Sequence, residues 1–207
     1  MGKQKLLAQG AEAIIIKKDD LIIKERIKKS YRIKEIDDKI RKLRTRGEGR
    51  LLERAGKIIN TPEIIKTDEK KKEITMEFLD GKKLSEHLDS FSLIRQEEIL
   101  RKIGEDISKI HESDIIHGDL TTSNMIIVNE CGEEKIYLID FGLGFISKKL
   151  EDKAVDLHLL KQALEARHFK NWAELFNSFE KGYKKSMESK KVLARLKTVE
   201  KRGRYKH

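Results

Sequence analysis

Apolar and polar positions change period along this chain, and the change divides it in two. Near the start, apolar residues fall in short β-rich runs, Lys5 to Ala13, Ala13 to Lys17 and Leu21 to Arg26. The last two flank the turn residues Lys17-Lys18-Asp19-Asp20, so the pattern predicts strands. From Arg32 to Ile59 the spacing becomes helical, through Ile36, Ile40, Leu43, Leu51, Leu52 and Ala55. Gly47 and Gly49 weaken the middle of that predicted helix, and Pro62 closes the region. Glu63 to Asp68 and Glu73 to Leu79 predict a hairpin around Glu69-Lys70-Lys71-Lys72. After Asp80-Gly81 the helical period returns, over Ser85 to Leu88 and then Leu93 to His111, with Ile94, Ile99, Ile103, Ile107 and Ile110 on its apolar face. Met125 to Val128 and Lys135 to Ile139 predict a second hairpin across Asn129 to Glu133. The expected fold is α+β in two lobes: a β-rich part with one long helix over residues 1–79, and a mostly helical part over 80–207.

Composition narrows the class. The 207 residues suffice for one or two small cores. No apolar run of about eighteen residues predicts a membrane span, and no apolar segment after Met1 predicts a signal peptide. The one cysteine, Cys131, cannot close an internal disulfide, which fits a cytoplasmic protein. Net charge is +10, and it is unevenly placed: Lys190 to His207 holds eight Lys or Arg against one acid. A cationic arm of this kind, including Lys201, Arg202, Arg204 and Lys206, suits nucleic-acid phosphates; the plainer reading is a solvated helix end.

The chemistry concentrates in His117-Gly118-Asp119-Leu120-Thr121-Thr122-Ser123-Asn124 and in Asp140-Phe141-Gly142, which begins 21 residues after Asp119. Protein kinases use an Asp at the Asp119 position to orient the attacking hydroxyl. They bind magnesium through an Asn five residues on and through the Asp of D-F-G. The intervening hairpin would carry Asn124 at one end and Asp140 at the other, aimed at one cation. A kinase-like site also needs a Lys on the third strand and a helical Glu to hold it. Lys24, at the end of Leu21-Ile22-Ile23-Lys24, and Glu48 on the following helix fill those places, with Glu53 the alternative to Glu48. Gln9-Gly10-Ala11-Glu12-Ala13 is a glycine-poor candidate for the loop that covers the phosphates.

Three departures matter. Gly118 stands where regulated kinases carry an Arg that receives a phosphorylated activation loop, so that mode of control has no receptor. Thr121 stands where Ser/Thr kinases place a Lys. No A-P-E motif follows Asp140 before Asp156, and the remaining chain is short for a peptide-docking platform.

With these features the chain resembles the small atypical kinase/ATPase subunits of the KEOPS (EKC) tRNA-modification complex, relatives of the Rio kinases. The likeness rests on Gln9 to Ala13, Lys24-Glu25-Arg26 with Tyr31-Arg32, and Arg44-Thr45-Arg46-Gly47-Glu48 with Arg50-Leu51-Leu52. It continues through the Thr-Thr-Ser-Asn loop, Asp140 to Gly144, Asp152 to Leu157 and Arg202-Gly203-Arg204. It implies a bilobal protein-kinase-like fold with a reduced helical C-lobe and Mg-dependent ATPase or atypical Ser/Thr kinase activity. It further implies a role in forming threonylcarbamoyl-adenosine beside the anticodon of tRNAs that read codons starting with A. Asp119 would be the catalytic carboxylate, Asn124 and Asp140 the metal ligands, and Lys24 with Glu48 the phosphate-orienting pair. Met76, Glu77 and Leu79 would border the adenine. The implied partners are a threonylcarbamoyl-transferase subunit, a small regulatory subunit on the N-lobe, and tRNA. Two rival readings are a tRNA-docking scaffold with structural ATP and a small-molecule phosphotransferase, the latter disfavoured by the absence of room for a substrate domain.

Overall fold

The computed structural model describes residues 4–203. Strands β1 (Gln4–Gln9), β2 (Ala13–Lys18) and β3 (Leu21–Arg26) form one antiparallel sheet with β4 (Ile64–Asp68) and β5 (Glu73–Glu77), in the order β1-β2-β3-β5-β4. Helix α1 (Lys34–Ala55) packs on β4 and β5. The central place of β3 sets Lys24 opposite Ile15 on one side and Ile74 on the other. Buried there, it is shielded from solvent by the strands around it.

Beyond the first sheet come β6 (Gly81–Lys83), α2 (Leu84–His87), α3 (Leu93–Glu112), β7 (Ile115–Ile116), β8 (Met125–Glu130), β9 (Glu133–Leu138) and β10 (Phe145–Ile146). Helices α4 (Leu150–Arg167), α5 (Trp172–Tyr183) and α6 (Ser189–Gly203) complete the chain. Strands β6, β8 and β9 form a second antiparallel sheet. The apolar faces of α3 (Ile103, Ile107, Ile110), α4 (Leu157, Leu160, Leu164), α5 (Leu175, Phe179) and α6 (Val192, Leu196) close one core. Leu51, Leu52 and Ala55 of α1 join the same cluster, so burial is continuous from the first helix into the last. Among the described residues no helix is long and apolar enough to cross a membrane.

Several sequence expectations need correction. Strand β1 stops at Gln9, not Ala13, because the Gly10 N–H turns back to the Ala13 carbonyl (3.0 Å). Strand β5 stops at Glu77, where the Phe78 N–H leaves the ladder for Asp20 O. Ile36 and Leu43 are about half exposed, whereas Asp37 and Thr45 of the same helix are buried. The inward face of the first turns of α1 is polar: Asp37 accepts from Arg41 (2.8 Å) and lies near Arg32. Ile94 is also exposed, leaving Ile99 onward to carry the α3 core face. Gly47 and Gly49 do not interrupt α1. A Cβ at Gly49 would lie 2.5 Å from Thr67 Oγ1, so that glycine lets β4 approach the helix.

The cationic arm also changes. Lys201 and Arg202 belong to α6, whose Val192 and Leu196 are buried. Arg202 pairs with Glu151 of α4 (2.8 Å), which also pairs with Arg195. Lys201 and Arg202 therefore stand on a helix tied to α4 by packing and charge, not on a separate arm. Arg204 and Lys206 lie outside the described residues.

Candidate active site

The two sheets and the catalytic loop enclose a cleft of about 370 Å³. Ile15, Ile22, Met76, Leu79, Ile126 and Ile139 give it apolar walls, and Lys24, Glu48, Asn124 and Asp140 gather in it. Glu77 and Phe78 also border the space. The Gln9–Ala13 loop does not line it; Leu7 and Ala8, just before the loop, do. Glu12 points instead toward the helix, pairing with Arg44 at 2.7 Å, with Lys29 and Arg32 farther off.

Lys24 Nζ donates to Glu48 Oε1 (2.6 Å) and to Asp140 Oδ1 (2.7 Å). Glu48 is chosen over Glu53 by this contact. Its other oxygen accepts from Arg26 Nη2 at 2.5 Å, so one buried carboxylate holds two buried cations. Sequence reasoning includes Arg26 in the family resemblance but assigns it no role in the site. It stands two residues after Lys24 and so emerges on the same face of β3, a period-two signal that could have found it. A Cβ on Gly142 would lie 3.3 Å from Arg26 Nη2 and 3.4 Å from Glu48 Oε2, so this ion cluster lies against the D-F-G turn.

Asp140 has a left-handed backbone (φ 62°) and also accepts from the Gly142 N–H (3.1 Å). Burial alone would raise its carboxyl. The Lys24 ammonium and its hydrogen bond, with the Gly142 N–H, outweigh that and hold it below the ordinary value.

Across the cleft, Asn124 Nδ2 donates to Asp119 Oδ2 (2.8 Å) and to the Asp119 carbonyl (2.9 Å). The predicted hairpin brings Asn124 and Asp140 to one space, but their side chains are engaged separately, with Asp119 and with Lys24. The loop is anchored from below. Buried Asp156 on α4 accepts the His117 N–H (2.8 Å) and the Gly118 N–H (2.9 Å). His111 Nε2 meets the same carboxylate at 3.2 Å, and its Nδ1 meets the Tyr183 hydroxyl at 2.9 Å. Full burial raises the Asp156 carboxyl, yet its hydrogen bonds and the neighbouring histidines carry the net shift downward. Gly118 has φ 79°, and a Cβ there would stand 2.3 Å from the Leu143 carbonyl. A side chain at this position, Arg included, is thus disfavoured by the backbone and by the Leu143 carbonyl.

This arrangement is a kinase-type cleft, and relatives agree. The protein kinase domain family matches residues 11–164. A protein of Pyrococcus abyssi named "KEOPS complex subunit Bud32" is 41% identical over 98% of this chain and 96% of its own length. The chain belongs to the Bud32 family. A Methanococcus vannielii protein, named "Probable bifunctional tRNA threonylcarbamoyladenosine biosynthesis protein", is 43% identical over 97% of this chain. The chain spans 36% of that longer relative. A solved Rio2 kinase from Chaetomium thermophilum, in an ADP/Mg2+-phosphoaspartate complex, aligns over 97% of this Bud32-family chain and 70% of its own, with TM-score 0.58 and 15% identity. That likeness supports the shared kinase fold.

The Asp140 carboxylate and the Asn124 amide oxygen face the cleft, and the Asp119 carboxylate adjoins Asn124. Hard oxygen ligands in that number suit magnesium, which takes one or two carboxylates and completes its shell with phosphate and water. Among the described residues there is no cluster of three or more His, Cys, Asp or Glu able to cage a metal alone. The donor set therefore fits an ion carried in with a nucleotide.

Proposed function

We propose that this chain binds Mg-ATP in the cleft and acts as the ATPase, or atypical Ser/Thr kinase, subunit of a cytoplasmic KEOPS complex. In that complex it supports threonylcarbamoyl-adenosine formation next to the anticodon of tRNAs that read codons starting with A. The observation that carries the reading is the convergence of Lys24, Glu48, Asp140 and Asn124 on one largely apolar cavity, with Asp119 held beside it by Asn124 Nδ2 at 2.8 Å.

Adenine would occupy the apolar end beside Met76, Glu77 and Leu79; the Gln9 to Ala13 loop, which stands off the cleft here, would have to move in on nucleotide binding to cover the phosphates. Lys24 would leave Asp140 for phosphate oxygens, while Arg26 keeps Glu48 from becoming an uncompensated buried charge. Asp140 and Asn124 would hold magnesium, which when bound neutralises charge developing on the transferred phosphoryl group. Asp119, oriented by the Asn124 amide, would align the attacking water or hydroxyl and take its proton. With Gly118 in place of an Arg, control would come from partners. A regulatory subunit would act on the N-lobe, residues 1–79, and the threonylcarbamoyl-transferase subunit and tRNA would act on the assembled complex.

The test is phosphate release from ATP by the purified chain, alone and with the transferase subunit and tRNA. Weak release alone and clear stimulation on assembly is expected. Nucleotide binding with no release in the full assembly would favour the scaffold reading.

A further inference from the structure

The catalytic-loop turn has a second support, distinct from Asp156. Thr122 opens the 3-10 turn Thr122–Asn124, midway between Asp119 and the Asn124 amide. Its side chain is buried, and Oγ1 lies 3.1 Å from His168 Nε2. His168 follows α4, is 2% exposed, and places Nδ1 2.8 Å from Asp89 Oδ1. Asp89 belongs to the 3-10 turn Leu88–Ser90 after α2, and its carboxylate is 60% exposed. An ionised carboxylate only accepts, so Nδ1 carries the proton and donates to Asp89. In the neutral imidazole Nε2 then presents a lone pair to which the Thr122 hydroxyl donates.

We propose that Asp89, His168 and Thr122 form a positioning relay that fixes the catalytic-loop turn and so holds Asn124 against Asp119. The order of these groups is that of an Asp-His-Thr triad. The Thr122 oxygen is enclosed, however, and cannot reach a substrate, so the relay positions and does not attack. Its leverage is local. The Asn124 N–H closes the turn on the Thr121 carbonyl (3.0 Å), and the Asn124 side chain spans to Asp119. Asp156 grips the loop only at His117 and Gly118. Without the relay, the segment between Leu120 and Asn124 would lose its only side-chain hydrogen bond from below among the described residues. The proposal's kinetic consequence rests on the ATP-turnover reading above; its structural consequence does not.

The experiment uses the full chain assembled with its transferase partner for kinetics, and the full chain alone for amide hydrogen exchange. Thr122→Val removes the donor at nearly constant volume, His168→Gln removes the ring, and Thr122→Ser keeps the donor. In the first two variants kcat should fall by about tenfold to a hundredfold, the scale of a small misplacement of reacting groups. KM for ATP should change little, and the magnesium concentration for half-maximal rate should rise. Thr122→Ser should recover most of the loss. Exchange should quicken at residues 119–124 and stay unchanged in α3 and the β8–β9 hairpin. Unchanged exchange at 119–124 in Thr122→Val, equal losses in Val and Ser variants, or exchange raised throughout the helical core would each overturn the relay. If the wild type released no phosphate, the turnover reading would fail separately, and the exchange result alone would decide the relay.

Discussion

The two walls of the cleft are held by different forces. The lower wall, carrying Asp119 and Asn124, is tied to Asp156 by neutral backbone donors and rests on the apolar core of α3, α4 and α5. The upper wall depends on charge. Lys24, Arg26 and Glu48 are buried together, while all of β1 is exposed. Hydrogen-bonded backbone around a buried carboxylate has one good arrangement and keeps it with or without ligand. A buried ion cluster has a large desolvation cost and several ways to share its charges. The present arrangement, with Lys24 on both Glu48 and Asp140, is one of these. The difference teaches that the chemistry-bearing loop is preset, and that the wall meeting the phosphates is the part a ligand or partner can rearrange.

The largest effect expected from breaking this comparison is on turnover. Asp119→Asn should lower kcat by about 10²–10⁴-fold while leaving Mg-ATP affinity near wild type, because Asp119 supplies proton chemistry and little binding. Phosphate-release kinetics beside nucleotide titration read both numbers; wild-type turnover would remove Asp119 from its role.

Next comes stability of the lower wall. Asp156→Ala leaves the buried His117 N–H and the partly buried Gly118 N–H unpaired, the first worth about 1–3 kcal/mol, and should lower the denaturation midpoint in urea accordingly. The pH dependence follows from the depressed carboxyl. A carboxylate whose folded value lies below its ordinary 3.8 stabilises the fold above that value and loses the contribution as pH falls through the folded one. Acid unfolding below about pH 4 should therefore flatten in Asp156→Asn, as followed by circular dichroism across a pH series.

The glycines of α1 give a smaller contrast. Gly49→Ala should destabilise by about 1–3 kcal/mol, because its Cβ meets Thr67. Gly47→Ala meets nothing within 4 Å and should stabilise by about 0.5–1 kcal/mol through helix propensity. Equal shifts in thermal melts would mean that the approach of β4 to α1 is not what Gly49 serves.

Much of this site is legible in the sequence. The loop from His117 to Asn124, the hairpin and Asp140 lie close together in sequence, and their spacing encodes their geometry. Lys24 and Glu48 were found because strand and helix order fixes them. Arg26 drew no site role in a chain crowded with cations, and Asp89 and His168 lie 33 residues before and 46 residues after Thr122, so no spacing announces them. Periodicity misread the start of α1 because Asp37, held by Arg41, occupies the inward face that Ile36 and Leu43 were expected to fill. Glu12 was assigned by loop position, whereas Arg44 draws its side chain to the helix.

The smallest expected effect concerns the C-terminus. Removing Lys201 to His207 should weaken tRNA binding and flatten its salt dependence by about two to three slope units, at roughly 0.7–0.9 per phosphate contact. Arg202 contributes least, since Glu151 already takes its charge. ATP binding should be untouched. Filter binding over a salt series checks this, and an unchanged slope would mean that these cations do not meet tRNA phosphates.

The central claim, that the charged wall is a Mg-ATP site, is tested most directly by titration calorimetry of ATP with and without magnesium. Asp140→Asn is the decisive variant, because Asn tolerates the left-handed backbone at this position and lacks only the charge. Wild-type protein should bind ATP more tightly with magnesium than without. Asp140→Asn should lose that enhancement and keep the metal-free affinity. Equal magnesium enhancement in the two proteins would contradict the account.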